Sequence, residues 1–251
     1  MTALDIIRRP SPNFDNRDAN VPLQFIVLHY TGMKSGAEAL ARLCDAAAKV
    51  SAHYVIEEDG RIFQLVEEDK RAWHAGKSFW RGVTDINSAS VGIELVNPGH
   101  QFGYRAFPGT QIDALEKLAQ EIIERHKMDA ANALLGHADI APGRKEDPGE
   151  LFPWSTLAAN GLGLWPQPEE SDYDFAADAE VQDLLCGIGY DCPTSGTYDQ
   201  STRAALIAFQ RRYHPENLTG TPERETVARM HALKRLQEIR PASTAAASRR
   251  A

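Results

Sequence analysis

The six residues Phe25–Tyr30, "FIVLHY", decide the first question about the fold. A short apolar run of this length has the size of a buried strand. Its fifth residue, His29, sits where a solvated histidine is not expected. Further along the chain, "GAEALARLCDAAAK" has helical composition and spacing, and "AHYVIEEDGRIFQLV" reads as two strands around a turn at Asp59-Gly60. "SVGIELVN" (Ser90–Asn97) is another buried strand. "TQIDALEKLAQEIIERH" predicts a helix with Thr110 as its N-cap and Ile112, Leu115, Ala119, Ile122, Ile123 and His126 at helical spacing. Strands and helices mixed in this way predict an α/β fold, a central mixed β-sheet flanked by helices.

Around Trp165 the character changes. "LWPQPEESDYD" is rich in proline and acid and has no periodicity, as expected of a linker. Beyond it, "DAEVQDLLCGIGYD" and "DQSTRAALIAFQRRYH" are amphipathic, and "TPERETVARMHALKRL" begins with a Thr-Pro pair suited to N-cap and N1. Three such segments predict a small three-helix bundle. The expected division is an α/β domain over 1–164, a linker over 165–173, the bundle over 174–240 and a disordered tail over 241–251.

The 251 residues suffice for one large domain or two small ones, and 43% hydrophobic with 25% charged residues is the composition of a soluble globular protein. The net charge of −8 argues against a broad nucleic-acid interface, which needs a cationic face. The opening "MTALDIIRRPSPNFDNRD" holds no apolar stretch of signal-peptide length, and no later segment is long enough to span a membrane. The reading is therefore a cytoplasmic monomer. Cys44, Cys186 and Cys192 show no CxxC spacing and read as free thiols, although Cys186 and Cys192 are near enough in sequence to pair in an oxidising compartment.

Chemistry concentrates in "GHADIAPGRKEDPG", Gly136–Gly149. Its prolines and glycines exclude a continuous helix, and it crowds ionisable groups into a rigid loop. His137 and Asp147 are suitable zinc ligands. A catalytic zinc site commonly takes three protein ligands, and His29, held on a strand, is the best third candidate. The alternative for His29 is a core histidine with a satisfied hydrogen bond, and for the loop a structural turn. Glu94 interrupts an apolar strand. A carboxylate there has either a raised pKa, as a general base requires, or a basic partner. Lys145 is either a solvated loop lysine or a stabiliser of an oxyanion.

Taken in order, "LHYTG", "SAHYVIEEDGRIFQLV", "AWHAG", "SVGIELVNPG" and "GHADIAPGRKEDPG" closely resemble the zinc-dependent N-acetylmuramoyl-L-alanine amidases of the type 2 family, relatives of the peptidoglycan recognition proteins. The resemblance covers most of Asn13–Leu164. "VQDLL", "GTYDQSTRAALIAFQRRY" and "TGTPERETVARM" resemble the small peptidoglycan-binding domain of cell-wall hydrolases. The resemblance implies that His29, His137 and Asp147 bind zinc, that Glu94 is the catalytic acidic residue, and that Lys145 steadies the tetrahedral intermediate. It places His74 and Asn97 along the substrate groove and gives His53 a family position whose role could be packing. Arg144 could meet a substrate carboxylate or solvent. His100, His126, His214 and His231 match nothing and are expected at the surface.

The implied activity is cleavage of the amide between N-acetylmuramic acid, including its 1,6-anhydro form, and L-alanine of peptidoglycan or muropeptide fragments, in recycling or turnover. Two other readings stay open: a peptidoglycan-binding protein without activity, and a metallopeptidase acting within the stem peptide, for which no HExxH helix is present. A wall-binding domain argues for a periplasmic or wall-associated place as the alternative to the cytoplasm.

Overall fold

The computed structural model describes residues 4–173 and 178–239. Eight strands run through the described residues: β1 (Ile6–Arg8), β2 (Phe14–Asn16), β3 (Phe25–Tyr30), β4 (Tyr54–Ile56), β5 (Ile62–Gln64), β6 (Lys70–Ala72), β7 (Ser90–Leu95) and β8 (Leu134–Gly136). The helices are α1 (Gly36–Leu43), α2 (Ile86–Ala89), α3 (Gly99–Phe102), α4 (Gly109–His126), α5 (His137–Ile140), α6 (Trp154–Ala159), α7 (Asp178–Ile188), α8 (Gln200–Tyr213) and α9 (Arg224–Ile239). Six strands form the main sheet in the order β1-β5-β4-β7-β3-β8, in which only the β4–β5 pair is antiparallel. Strands β2 and β6 make a separate antiparallel pair. This is the mixed sheet flanked by helices that the sequence predicts.

Strand β3 lies between β7 and β8, so neighbours cover both its edges and helices cover both its faces. That accounts for its unbroken apolar run. Alternate side chains serve opposite faces. Ile26 and Leu28 join Val91, Ile93 and Leu95 of β7 against Leu115, Leu118 and Ile122 of α4. Phe25 and Val27 turn the other way and share a core with Leu185 of α7, Phe209 of α8 and Met230 of α9. The C-terminal helices thus complete the second face of the sheet.

Helix α1 covers another part of that second face through Leu40 and Leu43 over Val55 and Phe63. Val55, Glu94 and His29 are register partners across β4, β7 and β3, so they point to the same side. The polar pair Glu94 and His29 therefore lies between α1 and the C-terminal helices. It lies near the carboxyl ends of parallel strands, the common place for ligand sites in open α/β sheets.

Several sequence expectations shift. Helix α1 is capped by Ser35, whose hydroxyl accepts from Glu38 N–H, but it ends at Leu43. Asp45 takes the next backbone N–H groups into a turn instead. Helix α4 starts at Gly109 without a side-chain cap, and Thr110 Oγ1 donates to the Glu58 carbonyl in the β4–β5 turn. Thr221 likewise closes a turn with Glu223, and α9 begins only at Arg224. The turn at Asp59-Gly60 forms as expected, with Gly60 at φ +88°.

The stretch expected as a linker carries a 3₁₀ turn, Glu170–Tyr173, tied to α9 by the Asp172–Arg235 ion pair at 2.8 Å. The tail over 241–251 lies outside the described residues. Cys44, Cys186 and Cys192 are free. His214, expected at the surface, is buried where α8 meets α9, with Nδ1 2.8 Å from Thr226 Oγ1.

Because the sheet and the C-terminal helices share a core, damage to either should destabilise both. Phe209 is fully buried in that core, and Phe209→Ala is expected to cost about 3–5 kcal/mol. Urea unfolding followed by both fluorescence and circular dichroism should show one transition, shifted as a whole.

Candidate active site

The β3–β7 pairing sets His29 directly opposite Glu94. The β3–β8 pairing sets Leu28 opposite Gly136, so His137, the first residue of α5, emerges beside His29. The loop then returns. Ala138 N–H donates to the Asp147 carbonyl at 2.8 Å, and the Ala141 carbonyl accepts from the N–H groups of Arg144 and Lys145. These bonds bring the Asp147 carboxylate back onto both histidines.

His29 Nδ1 lies 2.9 Å from His137 Nδ1 and 2.9 Å from Asp147 Oδ2, and His137 Nδ1 lies 3.0 Å from the same oxygen. Among the described residues these three form the one His/Cys/Asp/Glu group placed to hold a metal ion. The donor set fits zinc. Two imidazole nitrogens and one carboxylate oxygen converge, and the edge of a tetrahedron with bonds of about 2.0–2.1 Å is roughly 3.3 Å. Only a small spreading is needed.

The hydrogen bonds behind the three groups set their tautomers. His29 Nε2 is 3.1 Å from His74 Nδ1, His74 Nε2 is 3.3 Å from Ser90 Oγ, and Ser90 Oγ donates to the Ile86 carbonyl. Followed backwards, His74 Nε2–H donates to Ser90 and His29 Nε2–H donates to His74. The Nδ1 lone pair of His29 is left facing Asp147. His137 Nε2–H donates to the Ala75 carbonyl at 3.1 Å, which frees its Nδ1 in the same way. Such outer partners fix the orientation of imidazole ligands.

Burial and charge put His29 and Asp147 in the protonation states that metal binding requires. Burial, reinforced by the neighbouring His137, lowers the His29 pKa to about 4, so this imidazole is neutral at pH 7. Burial together with His29 and His53 holds His74 well below the ordinary histidine value. Burial alone would raise Asp147, but the two histidines overcome it and hold the carboxylate ionised. Glu94 goes the other way. Burial, with Asp147 adding and Lys145 opposing, raises it well above the usual carboxylate range.

Glu94 Oε2 is buried and has no hydrogen-bond partner among the described residues. A cavity of about 500 Å³ opens over it, with His29, His74, His137, Lys145 and Asp147 in its wall. Arg144 stands at the rim. Its guanidinium donates to the Ala75 carbonyl at 2.8 Å and the Lys77 carbonyl at 2.6 Å, bracing the loop. Asn97 is not brought to the cavity. It is fully buried, its Nδ2 donating to the Arg105 carbonyl and its Oδ1 accepting from Gly99 N–H. His53 is also fully buried, with Nδ1 accepting from Gly92 N–H.

Two residues escape the sequence reading. Ser90 ends the histidine chain, and Gly92 makes room for it: a Cβ on Gly92 would lie 2.5–2.7 Å from the His74 ring. A signal was present in the alternation of β7. Ser90, Gly92 and Glu94 share one face, while Val91, Ile93 and Leu95 share the other.

The fold thus sets a two-histidine, one-carboxylate cradle on a mixed sheet. A family model described as N-acetylmuramoyl-L-alanine amidase matches residues 19–150, and one described as a putative peptidoglycan binding domain matches residues 177–230. The N-acetylmuramoyl-L-alanine amidase AmiD of Escherichia coli (strain K12) is 38% identical over 231 residues, which span 84% of this chain and 82% of AmiD. The structure of E. coli AmiD with anhydro-N-acetylmuramic acid-L-Ala-D-gamma-Glu-L-Lys superposes with a TM-score of 0.75 at 36% identity, covering 88% of this chain and 92% of that one. AmpDh3 of Pseudomonas aeruginosa in complex with anhydromuramic pentapeptide gives a TM-score of 0.76 at 33% identity, covering 96% and 100%. The chain belongs to the N-acetylmuramoyl-L-alanine amidase family.

Gly92→Ala should push the His74 ring from its place and loosen His29. The expected loss is about 10–100-fold in metal affinity, read by competition with a chelator, with the far-ultraviolet circular dichroism unchanged.

A pH dependence also follows for the metal-free protein. His29 and His53 have folded pKa values of about 4 and about 3, and His74 is lowered too. The unfolded chain therefore binds more protons below about pH 6.5, and stability falls as pH drops through that window. Glu94, raised in the fold, acts in the opposite sense: its contribution is present at low pH and lost as pH rises. Three histidines outweigh one carboxylate, so Tm should be lower near pH 5 than near pH 7. An equal or higher Tm near pH 5 would contradict this account.

Proposed function

We propose that His29, His137 and Asp147 hold a zinc ion and that Glu94 and Lys145 carry the chemistry of an amidase acting on muropeptides, including 1,6-anhydro forms. The observation that carries this reading is Glu94 Oε2, buried without a partner among the described residues, beside three converging ligand atoms. A carboxylate of this kind is kept for a proton that arrives during the reaction. The anhydro-muropeptides bound in the AmiD and AmpDh3 structures support the anhydro form as a substrate here.

A zinc ion held by His29, His137 and Asp147 would supply Lewis acidity and would lower the pKa of a water towards neutral pH. Glu94 takes a proton from the attacking water as it adds to the carbonyl between the lactyl group and L-alanine. Lys145 lies in the same cavity wall, and no ion pair engages it among the described residues. Its ammonium donates to the carbonyl oxygen as negative charge builds there. Glu94 then returns its proton to the nitrogen of the departing alanine, and the C–N bond breaks. One water is consumed, and a free stem peptide and a muramic acid carboxylate are formed.

His74 is assigned to holding His29, Arg144 to shaping the rim where a substrate carboxylate can approach, and Asn97 to anchoring the loop that contains α3. The catalytic unit is assigned to 1–164, and the C-terminal helices to contact with the peptidoglycan polymer, supported by the match over residues 177–230. Among the described residues no helix is long and apolar enough to cross a membrane.

Mass spectrometry of a digested anhydro-muropeptide should show the intact stem peptide with a free alanine amine. Peptides shorter than the stem would mean a peptidase instead. Chelation should abolish turnover, and added zinc should restore it. Glu94→Gln and Lys145→Ala should keep their metal. The first should lose about 10²–10⁴ in kcat and the second about 10²–10³.

A further inference from the structure

Asp139 lies two residues beyond His137 and is only 2% exposed. Its Oδ2 accepts from Gly136 N–H at 2.8 Å and so caps the turn that presents His137. Its remaining partners come from the C-terminal helical unit. Arg212 of α8 donates through Nη1 to Oδ2 at 2.6 Å, and the Tyr190 hydroxyl, just past α7, donates to Oδ1 at 2.9 Å. Arg212 Nη2 also donates to the Leu134 carbonyl at 3.1 Å. Arg212 therefore grips the chain on both sides of His137.

The grip is built and buried. Arg212 is 5% exposed and Tyr190 is 1% exposed. The guanidinium lies 4.0 Å from the Trp154 ring centroid, and Trp80 meets the Tyr190 ring edge-on. The Arg81 side chain and backbone N–H donate to the carbonyls of Ile188 and Gly189, docking the end of α7. None of the described C-terminal residues lines the catalytic cavity. A unit meant only to tether the enzyme to a polymer does not need a buried ion pair beside a metal ligand. Burying Arg212 and Asp139 carries a desolvation cost, and such pairs serve registry more reliably than stability.

We propose that Arg212 and Tyr190 are positioning residues for the amidase reaction: through Asp139 they set the Gly136–His137 turn, so the metal cradle takes its working geometry only with the C-terminal unit docked. This rests on His137 being a metal ligand. The C-terminal unit thus serves turnover of small soluble muropeptides as well as any contact with the polymer.

The test uses the full chain with Tyr190→Phe, Arg212→Met and Arg212→Lys, and with His137→Ala as a control. Zinc affinity is read by chelator competition, kcat and KM on a soluble anhydro-muropeptide, and Tm by calorimetry. Tyr190→Phe removes a single hydroxyl and should weaken zinc binding and lower kcat by roughly 10-fold, with KM within about twofold. Arg212→Met should lose more, and Arg212→Lys should recover part of that loss. Variants that lower Tm but keep parental zinc affinity and kcat would overturn the proposal, leaving the cluster as a fastener between units. Should Arg212→Met fail to fold, Tyr190→Phe decides alone by the same readings. His137→Ala should lose zinc, and parental zinc affinity in that control would instead sink the ligand assignment.

Discussion

The register between β3 and β7 is the constraint on which the site depends. Pairing His29 with Glu94 places a metal-ligand candidate and a candidate general base side by side on a rigid sheet. A slip of one residue would turn both into the opposite core, because side chains in a strand alternate between faces. The alternation on β7 protects that register. Val91, Ile93 and Leu95 bury against α4, while Ser90, Gly92 and Glu94 face the site. Hydrophobic burial on one face thereby fixes the geometry of the candidate site on the other.

Desolvation then sorts the ionisable groups. One buried region keeps His29 neutral, Asp147 ionised and Glu94 inclined to hold a proton. The difference lies in the surroundings. Asp147 Oδ2 faces the Nδ1 atoms of two histidines at 2.9 and 3.0 Å, whereas Glu94 Oε2 has no partner among the described residues. Two carboxylates in the same wall can thus take the roles of ligand and base without competing. The line His29–His74–Ser90 extends this order inward, ending at a backbone carbonyl that does not titrate.

The C-terminal helices have a place in the same physics. They cover Phe25 and Val27, which would otherwise leave an apolar face open to water. They also bury Asp139 and supply its partners, Tyr190 and Arg212. The family resemblance read from "VQDLL" and "GTYDQSTRAALIAFQRRY" concerned peptidoglycan contact and said nothing of this packing. A break in composition marks where one helical unit begins, and it carries no information on how closely two units dock.

Much of the site was legible because its residues are out of place locally. A histidine ending an apolar strand, a glutamate within another and a charged loop stiffened by proline and glycine are each costly unless they have a task. Strand and helix identities were equally legible, since hydrophobic period is a local property. The parts misread were those settled by distant partners. Thr110 gives up its cap to bond Glu58, and Asn97 turns inward to hold a loop rather than line the cavity. His74 stands behind His29 as well as in the wall. The sequence by itself determined which residues could bind a metal, carry a proton and form the sheet. Only the tertiary structure decided which of them meet, because hydrogen-bond partners and desolvation depend on segments brought together from opposite ends of the chain.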